Sequence, residues 1–298
     1  MKKVEKFKKI LIYLAFILPA LGVYLAIIAF PIMSSIGLSF TEYNIYRNTA
    51  VWTGLANYIR IFKDPVFWFS MRNNFIVIFV SVFGQLPLAF TLAYLIYRKL
   101  IKRSGFFQSM VFLPTIISTV VIGILWSKIF SPIGLFPRIV QAITNNPDYI
   151  MTIMLRKSLA MVPIGFVILW FYTGMYVIIF LANLQNIDPN IIEAAQIDGA
   201  TESQILTKII VPQLYGVLVI TMILAISGSF RSFDLIYAMT EGGPAYYTSL
   251  LAIYMYKQSF KYFNYGVGSA VSTVMVILSI ILVIMIRLVR RKIDIMET

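Results

Sequence analysis

No residue between Ile10 and Thr41 carries a charge, and none does between Ser158 and Ile187. Runs of this length constrain the chain more than any other feature, because crossing roughly 30 Å of hydrocarbon takes about 20 predominantly apolar residues. Lipid offers the backbone no hydrogen bonds, so each run must fold as a helix that satisfies its own peptide groups. Uncharged stretches recur at Asn74–Tyr97, Phe106–Ser127, Gln213–Phe230 and Val267–Ile286. The expected architecture is an all-α membrane protein, a single domain over residues 1–298, with six spans at 10–30, 74–97, 106–127, 161–183, 213–233 and 267–286. Ala20 and Gly22 imitate a signal-peptide cleavage site, but the apolar run continues past them, beyond the length of an h-region.

With 60% hydrophobic and 12% charged residues, the chain departs from soluble domains, where about 45–50% and about 25% are usual. It contains neither Cys nor His, which removes the usual zinc and thiol chemistry and the commonest base near neutral pH. No paired carboxylates lie within an expected span, so neither an enzyme nor a metal site is expected in this chain alone. A net charge of +13 would suggest nucleic acid in a soluble protein. Here the basic residues cluster at the ends of apolar segments, as Lys2, Lys3, Lys6, Lys8 and Lys9, then Arg98, Lys99, Lys102 and Arg103, then Arg287, Arg290, Arg291 and Lys292. Short cytoplasmic segments beside spans carry this excess. Both termini are therefore expected inside, with membrane lipid and not nucleic acid as the surrounding partner.

The same alternation makes Ser39–Arg72 an external segment, punctuated at Gly54 and Asp64-Pro65, and Lys128–Lys157 a second, broken by Pro132, Gly134, Pro137 and Pro147. The polar stretch Glu193–Leu214 falls inside. Just before it Asp188 is placed to cap a helix with Pro189 at its first position. Asp198-Gly199 reads as a turn with Gly199 left-handed, and Thr201 with Gln204 as a capping box for a second helix. Ile205, Leu206, Ile209 and Ile210 share one face of that helix, and Pro212 can bend the chain into the next span. A pair of amphipathic helices lying on the inner membrane surface would satisfy the same physics.

The letters of the stretch add to this. Glu193-Ala194-Ala195, Gly199 after a gap of three, then Ile209 and Pro212 after a gap of nine, resemble the EAA loop of permease subunits in binding-protein-dependent ABC importers. Asp198, Ala200, Gln204 and Leu214 also agree, while Leu206 stands where the family often has Phe. Ser39-Phe40-Thr41, Gly54-Leu55, Asn57-Tyr58, Asp64-Pro65, Phe67-Trp68, Leu113-Pro114, Trp126, Gly242-Gly243-Pro244, Tyr256, Phe260, Tyr265, Gly266 and Ala270 look like further landmarks of the six-span sugar permeases of the maltose-transporter type. The resemblance implies a coupling loop over residues 188–212, in which Glu193, Ala194, Ala195, Asp198, Gly199, Ala200, Gln204, Ile209 and Pro212 serve a helix that inserts into a cytoplasmic ABC ATPase dimer. It further implies a second homologous permease, an extracellular or periplasmic sugar-binding protein, and a multi-pass location in a prokaryotic cytoplasmic membrane. No G-x-x-x-x-G-K-S/T phosphate loop occurs in the chain. ATP and magnesium are then expected on the partner, with no cofactor held here.

Polar and aromatic residues inside spans face a bundle interior or a cavity. Gln85, Tyr172, Thr173, Met175, Tyr176, Ser229, Arg231, Ser232 and Asp234 are the candidates for a substrate path. Aromatic faces and hydroxyl or charged hydrogen-bonding groups suit a sugar ring with its rim of hydroxyls, and an oligosaccharide is the expected cargo. The region around Tyr172–Tyr176 and Ser229–Ser232 matches, by spacing to the EAA and Gly242-Gly243-Pro244 landmarks, where the resemblance puts sugar-lining residues. Arg231 and Asp234, three apart, are expected to pair, because an unpaired charge near the bilayer centre costs roughly 2.5–3.5 kcal/mol. A polyol or glycerol phosphate is the alternative cargo, although a phosphate would favour several cations. A stand-alone secondary transporter is the rival from another class, and it has no use for an EAA-type loop.

Overall fold

A computed structural model describes residues 2–44, 49–146, 150 and 152–296, with side chains over 13–43, 49–146, 150 and 152–288. The side chains of Lys2, Lys3, Lys6, Lys8, Lys9, Arg290, Arg291 and Lys292 therefore fall outside the described set, and Pro147 lies outside the described residues altogether. In chain order the elements are α1 (Tyr13–Leu38, continuous with a helix from Lys2), β1 (Thr41–Asn44), β2 (Thr49–Trp52), α2 (Ala56–Lys63), α3 (Pro65–Tyr97), α4 (Ser104–Ile116) and α5 (Thr119–Ile129). There follow α6 (Leu135–Thr144), α7 (Met161–Leu184), α8 (Pro189–Ile197), α9 (Glu202–Gln213), α10 (Tyr215–Phe230), α11 (Asp234–Thr240), α12 (Leu251–Tyr256) and α13 (Tyr265–Met296).

Four of these, α1, α3, α7 and Tyr265–Leu288 of α13, are long and apolar enough to cross a membrane, and the bent pairs α4–α5 and α9–α10 meet the same test when each is taken together. The single span expected at 106–127 is thus two helices meeting at 96°. Pro114 has no N–H to donate, Ile117 and Ser118 turn extended (ψ 146° and 133°), and the Ser118 carbonyl accepts from Ile122 N at 3.0 Å to begin α5. The run expected from 74 starts earlier, at Pro65. Asp64 before it is held extended (φ −82°, ψ 117°), as a residue preceding proline prefers, and proline suits a first helical position.

Helices α1, α3 and α9 each contain a π-helical turn, at Leu25–Ala29, Val80–Gln85 and Ile205–Ile210. Each is followed two residues on by a proline: Pro31, Pro87 and Pro212. A proline ring clashes with the carbonyl four residues back, and in all three cases that carbonyl lies in the widened turn, which gives the ring room.

The chain divides into two compact units, Met1–Asp64 with Met255–Val274, and Pro65–Tyr254 with Met275–Thr298. In the first, β1 and β2 pair antiparallel with Thr41 opposite Trp52, a departure from the expected all-α fold. Thr41, Tyr43, Thr49, Val51 and Trp52 are β-branched or aromatic and favour strands. Asn57 Nδ2 donates to the carbonyls of Ser39 and Thr41, both at 2.9 Å, Ser39 Oγ lies 2.7 Å from Tyr58 OH, and Phe40 stacks on Trp52.

The second unit is built on α3 and α7. Leu86, Ala89, Ala93, Tyr94 and Ile96 of α3 share one apolar cluster with Phe180, Leu181 and Leu184 of α7, and with Ile192, Ile205, Ile210 and Leu214 beyond it. A second cluster joins Val77 to Ile164, Val167, Ile168 and Phe171 of α7, Ile122 of α5 and Leu235, Ile236 and Met239 of α11. Small residues let backbones approach in such bundles. Gly174 of α7 is such a case against α4: a Cβ there would lie 2.5 Å from the Val111 carbonyl oxygen.

Candidate functional site

Two places concentrate polar chemistry in the second unit. The first is a cavity of about 380 Å³ walled by Ser81 and Gln85 of α3, by Ile168, Tyr172, Met175 and Tyr176 of α7, and by Leu224, Ala225, Gly228 and Ser229 of α10 with Arg231 and Ser232 after it. Gln85 is 2% exposed, and its Nε2 has no hydrogen-bond partner. Ser229 Oγ donates to the Ala225 carbonyl at 2.8 Å and Ser232 Oγ to that of Gly228 at 3.0 Å. These shorter bonds direct both hydroxyl hydrogens to carbonyls of α10 and leave lone pairs as acceptors, with Ser81 Oγ 3.4 Å from that of Ser229. No Asp or Glu lines this cavity. The wall therefore offers a buried amide donor, serine acceptors, two tyrosine rings and one guanidinium.

Seven of the nine expected path residues line it: Gln85, Tyr172, Met175, Tyr176, Ser229, Arg231 and Ser232. Thr173 does not, and its buried hydroxyl donates to the Leu169 carbonyl of the same helix. Asp234 does not line it either, nor does it form the expected pair with Arg231. The α10 helix ends at Phe230 and α11 starts at Asp234, so the two side chains are not three apart on one helix, and Arg231 Nε reaches instead to the Ser227 carbonyl at 3.4 Å. Sequence reasoning passed over Ser81, which stands four residues before Gln85 on the same helix. It also passed over Asn73 and Asn74, both fully buried. Asn73 Nδ2 donates to the carbonyls of Tyr247 and Ser249 at 2.9 Å each, Asn74 Oδ1 accepts from Leu251 N at 2.8 Å, and Asn74 Nδ2 donates to the Ser229 carbonyl at 3.2 Å. They tie α3 to the segment after Gly242-Gly243-Pro244 and to the cavity wall.

The second place is the loop between α7 and α10. Asp188 caps α8 by accepting from Asn190 N at 3.0 Å, Pro189 takes the first helical position, and Gly199 closes it at φ +79°. Thr201 and Gln204 form the reciprocal capping box. A 68° bend at Leu214, just after Pro212, leads into α10. Glu193, Ala194, Asp198, Gly199, Gln204 and Pro212 are exposed, whereas Ala195, Ala200 and Ile209 are half-buried against the α3–α7 cluster. Ile197, not singled out by the sequence, is 86% exposed at the loop's tip.

One ion pair holds the loop to the bundle. Arg98 at the end of α3 meets Glu202 with Nε–Oε1 at 2.7 Å and Nη2–Oε2 at 2.8 Å, and the Tyr94 hydroxyl donates to the same carboxylate. The Arg98 hydrogen bonds, then that of Tyr94, hold the Glu202 carboxyl below the usual carboxylate range.

A family model for the inner-membrane components of binding-protein-dependent transport systems matches residues 1–295. The chain belongs to this family. Among the relatives of this permease, a probable ABC transporter permease protein of Bacillus subtilis, YurN, is 32% identical over 280 residues, covering 93% of this chain and 94% of the relative. The lactose transport system permease LacF of Rhizobium radiobacter is 33% identical over 272 residues, 90% of each chain. Among solved structures, a chain of a bacterial ABC transporter involved in import of the acidic polysaccharide alginate superposes with a TM-score of 0.83 at 20% identity, covering 98% of this permease and 99% of that chain. That likeness places the fold.

Proposed function

We propose that this permease is one of two homologous membrane subunits of an ATP-driven sugar importer, fed by an external binding protein and powered by a cytoplasmic ABC ATPase dimer that docks on residues 188–212. The observation that carries the reading is the cavity. A ring with apolar C–H faces and a hydroxyl rim is matched by Tyr172 and Tyr176 for the faces, Gln85 as donor and Ser229 and Ser232 as acceptors. A volume of about 380 Å³ suits one or two sugar units of an oligosaccharide threading past it. The lactose permease among its relatives supports the same class. A phosphate ester would ask for several cations, and Arg231 is the sole one on this wall.

In this mechanism the loaded binding protein docks outside, ATP closes the ATPase dimer, and the loop moves with it so that the paired permeases open outward to the sugar. Hydrolysis resets the inward-facing state. Both termini and the loop lie on the cytoplasmic side of six spans, counting each bent pair as one. Ile197 and Glu193 form the face offered to the ATPase, whereas Ala195, Ala200 and Ile209 hold the loop to its own bundle. Because the chain has no Cys, single cysteines at Ala194 or Ser203, both exposed, test this directly. They should crosslink to a co-expressed ATPase and cysteines at Val51 or Trp52 should not; a silent loop in a complex that still transports would refute the docking assignment.

A further inference from the structure

We propose that Glu202, held by Arg98 and Tyr94, is the positioning residue through which movement of the loop reaches the cavity wall. The inference rests on the importer reading above and goes beyond it, since neither the EAA pattern nor the cavity includes these three residues.

An acidic residue in the first turn of α9 has a local explanation, because it complements the helix N-terminus. That explanation does not account for where the carboxylate points. Both oxygens are taken by the guanidinium of Arg98 in a two-point fork, and the Tyr94 hydroxyl adds a third hydrogen bond, all from a helix more than a hundred residues earlier in the chain. Fork geometry fixes direction as well as distance, which a lysine or a water-bridged contact would not. Arg98, at the C-terminal end of α3, lies where the helix dipole favours a cation. Each charge is thus seated on the end of a different helix.

What lies along α3 gives the clasp its consequence. Ala89 and Ala93 pack without exposure against α7, so this stretch moves as a packed rod. From Arg98 back to Gln85 is about 20 Å at 1.5 Å per residue. There α3 widens into its π turn, Val80–Gln85, whose Ser81 and Gln85 form part of the cavity wall. A pull on Glu202 therefore arrives at two of the side chains that face the substrate. The apolar contacts of Ile205 and Ile210 with the same cluster hold the loop against the bundle, but they are non-directional. The clasp supplies the direction.

The Glu202 side chain is 47% exposed, so solvent screens its charge, and the apolar contacts of Ile205 and Ile210 remain to hold the loop when the carboxylate is removed. Losing the clasp should therefore spare assembly and damage coupling. The test uses the complete complex in liposomes with its own binding protein, and radiolabelled lactose and maltose as probes, read as sugar taken up per ATP hydrolysed. E202A should assemble with the ATPase at wild-type stoichiometry and melting temperature, yet lower uptake per ATP at least about tenfold. Arg98→Lys, which keeps the charge at the end of α3 and loses the two-point fork, should lower the ratio about threefold. Unchanged uptake per ATP in E202A, or in an assembled Arg98→Lys complex, overturns the proposal. If E202A does not assemble, Tyr94→Phe removes one hydrogen bond and no charge. It should lower the ratio about threefold, and an unchanged ratio again overturns the proposal. A wild-type complex whose ATP hydrolysis ignores its loaded binding protein refutes the importer reading and this inference with it, a result seen before any variant is made.

Discussion

Replacing Gly174 with Val tests a close helix contact behind the cavity. A Cβ at this position would stand 2.5 Å from the Val111 carbonyl oxygen and 3.1 Å from the Phe112 Cα, both backbone atoms that cannot rotate away. Ordinary carbon–oxygen contacts run at about 3.3 Å or more, so α4 and α7 must separate by roughly 0.8 Å before the two γ-carbons are counted. Overpacking of this kind costs about 1–3 kcal/mol, and the helix-propensity gain on leaving glycine returns no more than about 0.5 kcal/mol. The net loss of roughly 0.5–2.5 kcal/mol corresponds to a fall of about 1–10 °C in melting temperature for a domain of this order. Gly174 also lies between Tyr172 and Tyr176, so displacement of α7 should reduce uptake more than tenfold. The assay is thermal unfolding in detergent micelles together with uptake, with Gly216→Ala as control. Nothing lies within 4 Å of a Cβ at Gly216 in α10, so that variant should be neutral or up to about 1 kcal/mol more stable. A Gly174→Val protein melting at or above wild type would refute the packing argument.

Gln85→Leu should separate stability from function: it removes a buried amide nitrogen without a partner, a group whose burial costs about 1–3 kcal/mol, so the melting temperature should hold or rise while uptake falls. Asn74→Leu should cost about 1–3 kcal/mol, because Leu251 N–H would be left buried with no acceptor; thermal or denaturant unfolding measures it, and a neutral result would contradict the clamp. The clasp should also depend on pH in one direction. The Glu202 carboxyl is lowered in the folded protein, mainly by Arg98, so its contribution is complete above the unfolded value, about 4.3, and is lost as pH falls through the lowered folded value. Uptake per ATP followed downward from neutral pH should stay level until that range in the wild type, and E202A should lack the fall that follows.

The helix caps were legible in the sequence because their determinants are local. Asp188, Gly199 and the Thr201–Gln204 box each act within a few residues, and each forms. The apolar runs were legible as helices for the same reason that they hid their breaks. An all-apolar run has no polar face whose phase would betray the 96° corner after Ile116, so Pro114 and Ser118 were the sole local signals. Gln85, Tyr172 and Tyr176 could be placed as wall residues because a polar or amphipathic group inside a span has few other places to go. Asn73 and Asn74 sit beside Arg72 and read as the polar end of a span, whereas they are buried inside the helix from Pro65 and bound to backbone more than 150 residues away. The Arg231–Asp234 pair failed on an assumption of continuity, since the chain leaves the helix between them. The Arg98–Glu202 contact joins two residues separated by 104 positions, and no local pattern could have matched them.

The π turns that precede Pro31, Pro87 and Pro212 also bear on how the chain can change length. A π turn accommodates one residue more than the α turn it replaces, so the flanking stretches keep their facing while the count between them slips. On an unbroken α-helix Ala89 and Ala93 would stand about 60° and about 100° round from Asn74, and the surplus residue of Val80–Gln85 turns both back by about 100°. The proline holds the surplus residue in place. In α3 an insertion or deletion elsewhere would rotate the Asn74 contacts away from those of Arg98, whereas at this turn, with Pro87 changed alongside, one residue can be lost with both ends still aligned. The wide turn is thus the helix's splice point, set between the end that binds the Gly-Gly-Pro segment and the end that holds the loop.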